Sequence, residues 1–215
     1  LGWTYFDIGE YDNAMKMYNQ NLKKAEATED EGCIAELFHN IGLVHLKKGD
    51  NKQSLSYFDR ALELRQNLED QSGIANSYNN FGAVYWNTGD YKKALNAFQH
   101  SYDIYNKLED KLGMAQALGN QGVIHSINGD YKRALECHEK TFDIREKLGD
   151  KSGISAALVN IGIIIYNLGD YDRALDYYSR ALSYAKELDN KHVISILNDN
   201  IGIIYRNKRK YDKAI

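Results

Sequence analysis

A 40-residue spacing governs this chain from end to end. The motif Asn-x-Gly occurs with its Asn at positions 40, 80, 120, 160 and 200, without an insertion between copies. Gly-Asp pairs follow at the same spacing, at 49–50, 89–90, 129–130 and 169–170. A small residue recurs in register at Ala14, Ser54, Ala94, Ala134, Ala174 and Ala214. Self-similarity at such a period is typical of stacked supersecondary units, so it limits the fold to a repeat array.

Each 40-residue period contains two amphipathic helical segments. In 71–110, Asp70 is an N-cap candidate, and large apolar residues then recur at helical spacing as far as Tyr85. Gly89 supplies the left-handed residue that commonly ends a helix, and Asp90 is placed to cap a second helix. Proline is absent from the sequence, so nothing in it forces a kink. The sequence therefore predicts antiparallel helix pairs with breaks at the four Gly-Asp pairs.

The register of large and small residues resembles the tetratricopeptide repeat (TPR). The motif stands in one unit as Tyr78, Phe81, Gly82, Tyr85, Ala94 and Phe98. The long units, with the joint Leu-Gly-Asp-Lys-Ser-Gly at 148–153, are similar to repeats of Pins/LGN-type adaptors and of bacterial signalling TPR domains. The resemblance implies an all-α, right-handed superhelical solenoid of antiparallel helix pairs. It also implies that Gly82 and Gly122 lie where the two helices of a pair touch.

The predicted organisation is a single TPR solenoid over 1–215. Full repeats are expected at 31–70, 71–110, 111–150 and 151–190, with partial repeats at 1–30 and 191–215. Because both ends fall inside a repeat, we interpret the sequence as a fragment of a longer protein. Incomplete terminal units expose apolar residues such as Trp3, Phe6 and Ile215, so self-association through the ends is a further expectation.

Composition and charge argue against several classes of partner. The formal net charge is −3, which gives no electrostatic footprint for nucleic acid or an anionic membrane. No apolar run approaches the ~20 residues that a membrane helix needs. Two cysteines, Cys33 and Cys137, are too few for a disulfide framework, which is typical of a reducing compartment. We therefore expect a cytoplasmic protein without nucleic-acid or membrane partners.

The sequence contains no catalytic or metal-binding motif. A Gly-rich phosphate loop, His-Glu-x2-His and Gly-x-Ser-x-Gly are all absent. Cys137 and His138 are adjacent, but neighbours on a helix point about 100° apart and do not readily share one ion. His138 and His125 fall in columns of large aromatic residues, which favours a core position for both. We expect no enzyme activity, no cofactor and no metal.

The repeated Asn is the most informative candidate for function. Asn is a poor helix former, so five copies at interior helical positions indicate another benefit. A carboxamide both donates and accepts, which matches an extended peptide backbone. The resemblance to TPR proteins implies that the Asn two residues before the Gly binds peptide. Alternatively, each Asn bonds a neighbouring helix or was inherited by repeat duplication. The predicted peptide-binding face comprises Asn40, Asn76, Asn79, Asn80, Ala83, Trp86, Asn87, Gln116, Asn120, Val123, Asn160, Ile163, Tyr166, Asn167, Asn200 and Arg206.

Two interpretations of function follow. In the first, the protein is an interaction scaffold whose concave groove captures a peptide or helical segment of a partner protein. In the second, it is the sensory module of a larger signalling protein with a kinase, cyclase or DNA-binding domain. The basic cluster of Arg206, Lys208, Arg209 and Lys210 is consistent with a docking patch. Positive charge at a helix C-terminus is also favourable by itself.

Overall fold

The computed structural model describes residues 2–208, of which 85% are helical and none is in a β-strand. Its helices are α1 (Gly2–Asp7), α2 (Tyr11–Ala27), α3 (Glu31–Lys47), α4 (Asn51–Asn67), α5 (Gln71–Asn87), α6 (Tyr91–Lys107), α7 (Lys111–Ile127), α8 (Tyr131–Lys147), α9 (Lys151–Asn167), α10 (Tyr171–Glu187) and α11 (Lys191–Asn207). The predicted all-α array of helix pairs is confirmed. Arg209, Lys210, Ala214 and Ile215 lie outside the described residues.

The helices break where the Gly-Asp pairs predicted. After α3, Gly49 adopts a φ of 79°, and the Asp50 carboxylate accepts a hydrogen bond from the backbone N–H of Gln53 at 3.2 Å. Glycines in the same register repeat this conformation at 89, 129 and 169. The joint that closes each unit differs, because its left-handed position is Gly only at Gly149. Elsewhere it is occupied by Glu29, Glu69, Glu109 and Asp189.

A glycine brings the two helices of each pair into close contact, as predicted. A Cβ on Gly82 would lie 2.4 Å from Cε1 of Phe98, and one on Gly122 would lie 2.7 Å from Nε2 of His138. The small-residue column lies beside this contact, where Ser54 Oγ donates to the carbonyl of Gly42 at 2.9 Å. Every described member of that column is fully buried. No side chain larger than glycine fits these positions without displacing a buried ring.

The chain divides into two compact units, Leu1–Asp110 and Lys111–Ile215. In the first, successive helices from α1 to α6 pack around buried residues that include Phe58, Phe81 and Val84. In the second, α7 to α11 pack around Leu158, Ile161 and Tyr178. The unit boundary falls between the predicted repeats 71–110 and 111–150. The grouping of the whole chain into one solenoid stays a prediction.

Within residues 2–208, each helix is too short or too polar to cross a membrane.

Candidate functional site

In the first unit, a cavity of about 320 Å³ opens between α3 and α5. We call α3, α5, α7, α9 and α11 the first helices, because each begins a predicted 40-residue unit. The walls come from the N-terminal halves of two first helices, and the end of α4 closes the cavity. Its lining includes Glu36, His39, Asn40, Arg65, Leu68, Ser72 and Asn76.

In the second unit, a cavity of about 230 Å³ lies between α9 and α11. Its lining includes Ser155, Ala156, Val159, Asn160, Ala185, Leu188, Val193 and Ile196. These residues occupy the same repeat positions as the lining of the first cavity, three repeats further along the chain. The chemistry differs, because Glu36 and Arg65 in the first cavity correspond to Ala156 and Ala185 in the second. The fold therefore places a cavity at the same repeat position in both units, with two different linings.

The Asn row lies at these cavities, and part of it bonds neighbouring helices. Asn40 lines the first cavity and Asn160 the second. The Asn80 side-chain nitrogen lies 3.0 Å from Nδ1 of His39 on the preceding first helix. Burial lowers the pKa of His39 to about 4, so the ring is neutral and its Nδ1 accepts the amide hydrogen. Asn80 therefore bonds a neighbouring helix, which is the alternative to a peptide-binding role for the repeated Asn.

Asn76 is held by the second helix of its own pair. The Tyr105 hydroxyl donates to Asn76 Oδ1 at 2.6 Å. Burial raises the pKa of Tyr105 to about 12, so the phenol keeps its proton at neutral pH. The bond fixes the carboxamide with its oxygen towards α6, while the side chain as a whole is exposed. The two amide hydrogens of Asn76 are thereby presented at the cavity.

Two predicted groove residues are buried rather than open to solvent. Asn40 is 3% exposed because α1 and α2 cover its side of α3, where Trp3 and Tyr18 share a cavity wall with it. Its Oδ1 has no hydrogen-bond partner among the described residues. Asn79 is 9% exposed because it lies about 100° around α5 from Asn80, on a buried face. The sequence pattern placed both on the open face, and the structure corrects this.

The remaining predicted residues lie at intermediate or exposed positions on the first helices. Trp86 is 41% and Ile163 37% exposed, which is high for large apolar side chains. Tyr166 is half-buried, and its hydroxyl accepts a hydrogen bond from Asn207 Nδ2 at 2.9 Å. Half-buried side chains are Ala83, Asn120, Val123 and Asn200, and exposed ones are Asn87, Gln116, Asn167 and Arg206. Among the predicted residues, Asn40 and Asn76 share the first cavity, and Asn160 lies alone of the set in the second.

Sequence reasoning missed the cavity residues at the ends of the second helices. Arg65 is 8% exposed and donates to the carbonyl of Gly73 at 3.1 Å and to Ser77 Oγ at 2.9 Å. Burial lowers the pKa of its guanidinium, and the negative charges of Asp70 and Glu36 oppose that effect. Leu68 and Leu188 also line the cavities, although they are 45% and 44% exposed. Leucine recurs at this repeat position, in a turn outside the core. That recurrence in the sequence could have identified these cavity residues.

The histidines and cysteines give no sign of a reactive centre. His138 is 1% exposed, as its aromatic column predicted, and burial lowers its pKa to about 4. Cys33 and Cys137 are free, and burial raises the pKa of both thiols, which disfavours the nucleophilic thiolate. Among residues 2–208, no group of three or more His, Cys, Asp or Glu side chains is placed to hold a metal ion.

Solved structures with a similar fold come from several kinds of protein. BtubC (BKLC) from P. vanneervenii superposes with a TM-score of 0.83 at 19% identity, covering 95% of this chain and 86% of that one. A Rap protein in complex with Competence and Sporulation Factor gives 0.79 at 19% identity, covering 99% and 70%. A Signal Transduction ATPase with Numerous Domains (STAND) protein from Pyrococcus horikoshii, with a tetratricopeptide repeat sensor, gives 0.84 at 18% identity, covering 99% and 33%. At these identities the likeness shows the fold alone.

Family models identify the repeat type directly. Residues 33–107, 74–147, 113–187 and 153–215 each match a model described as Tetratricopeptide repeat, and residues 1–23 match a second model with that description. No curated protein sequence matches the chain significantly. Repeats of this type imply a scaffold for protein–protein interaction. Since these matches span 33–215 and the helix pairs carry the glycine contact in register, the chain belongs to the tetratricopeptide repeat family.

Proposed function

We propose that this protein is a non-enzymatic scaffold whose groove, formed by the first helices, binds a peptide or helical segment of a partner protein. One observation carries the proposal: a cavity in the same repeat position occurs in both units. In each unit it opens between two successive first helices and contains an Asn of the row. Concave sites with a few convergent polar groups are the usual form of binding pockets.

The hydrogen-bonding capacity of α5 supports binding of a peptide backbone. Asn76 and Asn80 are four residues apart, so their side chains lie on one face of the helix. Asn76 uses its oxygen for Tyr105, which leaves both of its amide hydrogens to donate. Asn80 uses its nitrogen for His39, which leaves its oxygen to accept. Together they offer the donor and the acceptor that one peptide unit requires.

The two cavities differ in the side chain that each one would accept from a bound segment. The carboxylate of Glu36 makes no hydrogen bond or ion pair with any described residue, so the first cavity suits a hydrogen-bond donor. Arg65 is already bonded within the fold and contributes charge rather than free donors. The second cavity is lined by Ala156, Val159 and Ile196, and it suits an apolar side chain. Such a selection would distinguish one partner segment from another.

Calorimetry on paired variants tests the proposal. A binding peptide is first selected from a library, and its affinity is measured for the wild type and for Asn120→Ala/Asn160→Ala. Each neutral hydrogen bond contributes ~0.5–1.5 kcal/mol, so the double variant should bind roughly ten- to a hundredfold more weakly. The matched control is Asn106→Ala/Asn128→Ala, which removes two exposed carboxamides outside the described cavities. Unchanged affinity, or an equal loss in the control, would assign the Asn row a structural role.

A second candidate is a sensory module of a larger signalling protein. Two similar solved folds favour it: the STAND protein carries a TPR sensor, and the Rap protein is bound to Competence and Sporulation Factor. In that role the same groove would bind a signal peptide or an effector domain of its own polypeptide. The sequence of the complete gene distinguishes the two candidates, because only the second requires an adjoining effector domain.

A further inference from the structure

A cavity of a different kind lies in the first unit, on the side of the second helices. It has a volume of about 330 Å³ and lies between α4, α5 and α6. Four aromatic rings line it together with a carboxylate, an alanine, Leu62, Lys93 and Asn96. The residues that matter here are Asp59, Tyr78, Phe81, Tyr85, Ala97 and His100. None of them belongs to the groove proposed above.

The preceding repeat shows how a tyrosine ring packs at this position. One repeat earlier, the place of Ala97 is taken by Tyr57. The Tyr57 ring stacks on His45 with centroids 5.4 Å apart and an interplanar angle of 12°, and it packs at 6.1 Å against Phe38. The guanidinium of Arg60 lies 5.5 Å from the same ring. A tyrosine ring at this position is therefore surrounded by aromatic and cationic groups on three sides.

The walls are still present around Ala97, although the central ring is missing. Tyr85 stands where His45 stacks, Tyr78 stands where Phe38 packs, and His100 stands in place of Arg60. The imidazole of His100 packs against Tyr78 at 5.2 Å. In the second unit the corresponding positions hold Cys137 and Tyr177, and Tyr177 again lies beside a cation, 5.6 Å from Arg180. Ala97 thus leaves a space with the surroundings of a tyrosine ring.

The polar group of the cavity matches a phenol. Asp59 is an exposed residue that makes no hydrogen bond or ion pair with any described residue, and partial desolvation raises the pKa of its carboxyl group. Lys93 also lines the cavity, but its ammonium pairs with Asp90 at 2.9 Å and lies 5.4 Å from the centroid of the Tyr85 ring, so it makes no ion pair with Asp59. An unpaired, partly desolvated carboxylate gains from a hydrogen-bond donor. A tyrosine hydroxyl is such a donor, whereas a phenylalanine ring is not.

We infer that this cavity binds a tyrosine side chain of a partner protein. The ring packs between Tyr85 and Tyr78 above Phe81, and its hydroxyl donates to the carboxylate of Asp59. Offset or tilted stacking on these rings supplies the ring recognition, and the carboxylate supplies the preference for a phenol. The site is separate from the first-helix groove, so a partner can use it whether or not that groove is a peptide site.

Nuclear magnetic resonance titration of the full chain tests this inference. The probe is N-acetyl-tyrosinamide, whose two amides represent a tyrosine within a chain, and the comparison probe is N-acetyl-phenylalaninamide. The tyrosine probe should shift the amides of Tyr78, Tyr85 and His100. It should bind roughly tenfold more tightly than the phenylalanine probe, the lower end of what a hydrogen bond to a charged group contributes. Asp59→Ala should bring the two affinities together.

Filling the cavity from within the chain gives the decisive variant. Ala97→Tyr restores the residue found at Tyr57 and Tyr177, and it should abolish probe binding without lowering the melting temperature. His100→Arg, which restores the residue of Arg60 and Arg180, provides a second variant should the first fail to fold, and it should weaken binding. Gln99→Tyr adds an exposed ring outside the cavity and should bind the probe like the wild type. Absence of shifts at these residues, or undiminished binding by the cavity-filling variants, would overturn the inference.

Discussion

Two glycines on α7 should respond to alanine with opposite signs. Gly122 lies at the helix contact, where a Cβ would come within 2.7 Å of Nε2 and 2.8 Å of Cε1 of His138. Gly119 lies on the same helix, and the nearest atom to a Cβ there is Cγ2 of Thr141 at 3.9 Å. Both residues are within the helix, so alanine removes the same backbone entropy from the unfolded chain. The pair therefore isolates the effect of packing.

The expected magnitudes follow from two opposing terms. Alanine in place of glycine within a helix is favourable by ~1 kcal/mol. At Gly119 this is the main term, so Gly119→Ala should stabilise the protein by about 0.5–1 kcal/mol. At Gly122 the ring of His138 is 1% exposed and has nowhere to move, and overpacking of that kind typically costs ~1–3 kcal/mol. Gly122→Ala should therefore destabilise by up to about 2 kcal/mol, and Gly122→Leu by more.

Urea unfolding measures the difference. The midpoint should rise for Gly119→Ala and fall for Gly122→Ala, with unchanged slopes. For a chain of this size, each kcal/mol corresponds to about 2–4 °C in melting temperature. If Gly122→Ala proved as stable as Gly119→Ala, the close contact between the paired helices would not control stability, and the reasoning from the glycine column would fail.

Three further predictions concern protonation, hydrogen bonding and local stability. The pKa of His138 is lowered from 6.5 to about 4 in the folded state, so the unfolded chain takes up the proton first. Wild-type stability should hold above about pH 6.5 and decline towards pH 4. In urea titrations at several pH values His138→Phe should make that decline shallower, and His39, whose pKa is also about 4, accounts for part of what remains. A double-mutant cycle of Asn76→Ala with Tyr105→Phe should give a coupling of about 0.5–1.5 kcal/mol, the value of a neutral hydrogen bond, and zero coupling would contradict the bond. Amides of α1, a six-residue helix without a buried residue, should exchange hydrogen faster than those of α7, and equal protection would contradict this.

Repeat spacing was enough to predict the helix pairs and their contacts. Glycine and aspartate carry strong local signals, so Gly49 and Asp50 located a helix break, and Gly122 located a close contact with His138. The turn that ends each 40-residue unit was harder to predict from the sequence. Its left-handed residue is Glu69 in one unit, and a glutamate does not indicate that conformation.

The side-chain details of the candidate sites required coordinates. The bond from Asn80 to His39 joins residues 41 apart, and it depends on how successive first helices align. The burial of Asn40 depends on what α1 and α2 cover. The cavity beside Ala97 was readable in principle, because an alanine stands in a column that also holds Tyr57 and Tyr177. That alanine indicates a binding cavity only when the surrounding aromatic rings are known to lie in place around it.

The central claim is that the first helices form the binding surface, and one measurement tests it most directly. Amide chemical shifts of the full chain are recorded while a library-selected peptide is added. The largest shifts should cluster at one or both of the described cavities, around Asn40 and Asn76 on α3 and α5, or around Asn160 and Ile196 on α9 and α11. Shifts confined to the second helices would contradict the account, because the peptide would then bind away from the Asn row.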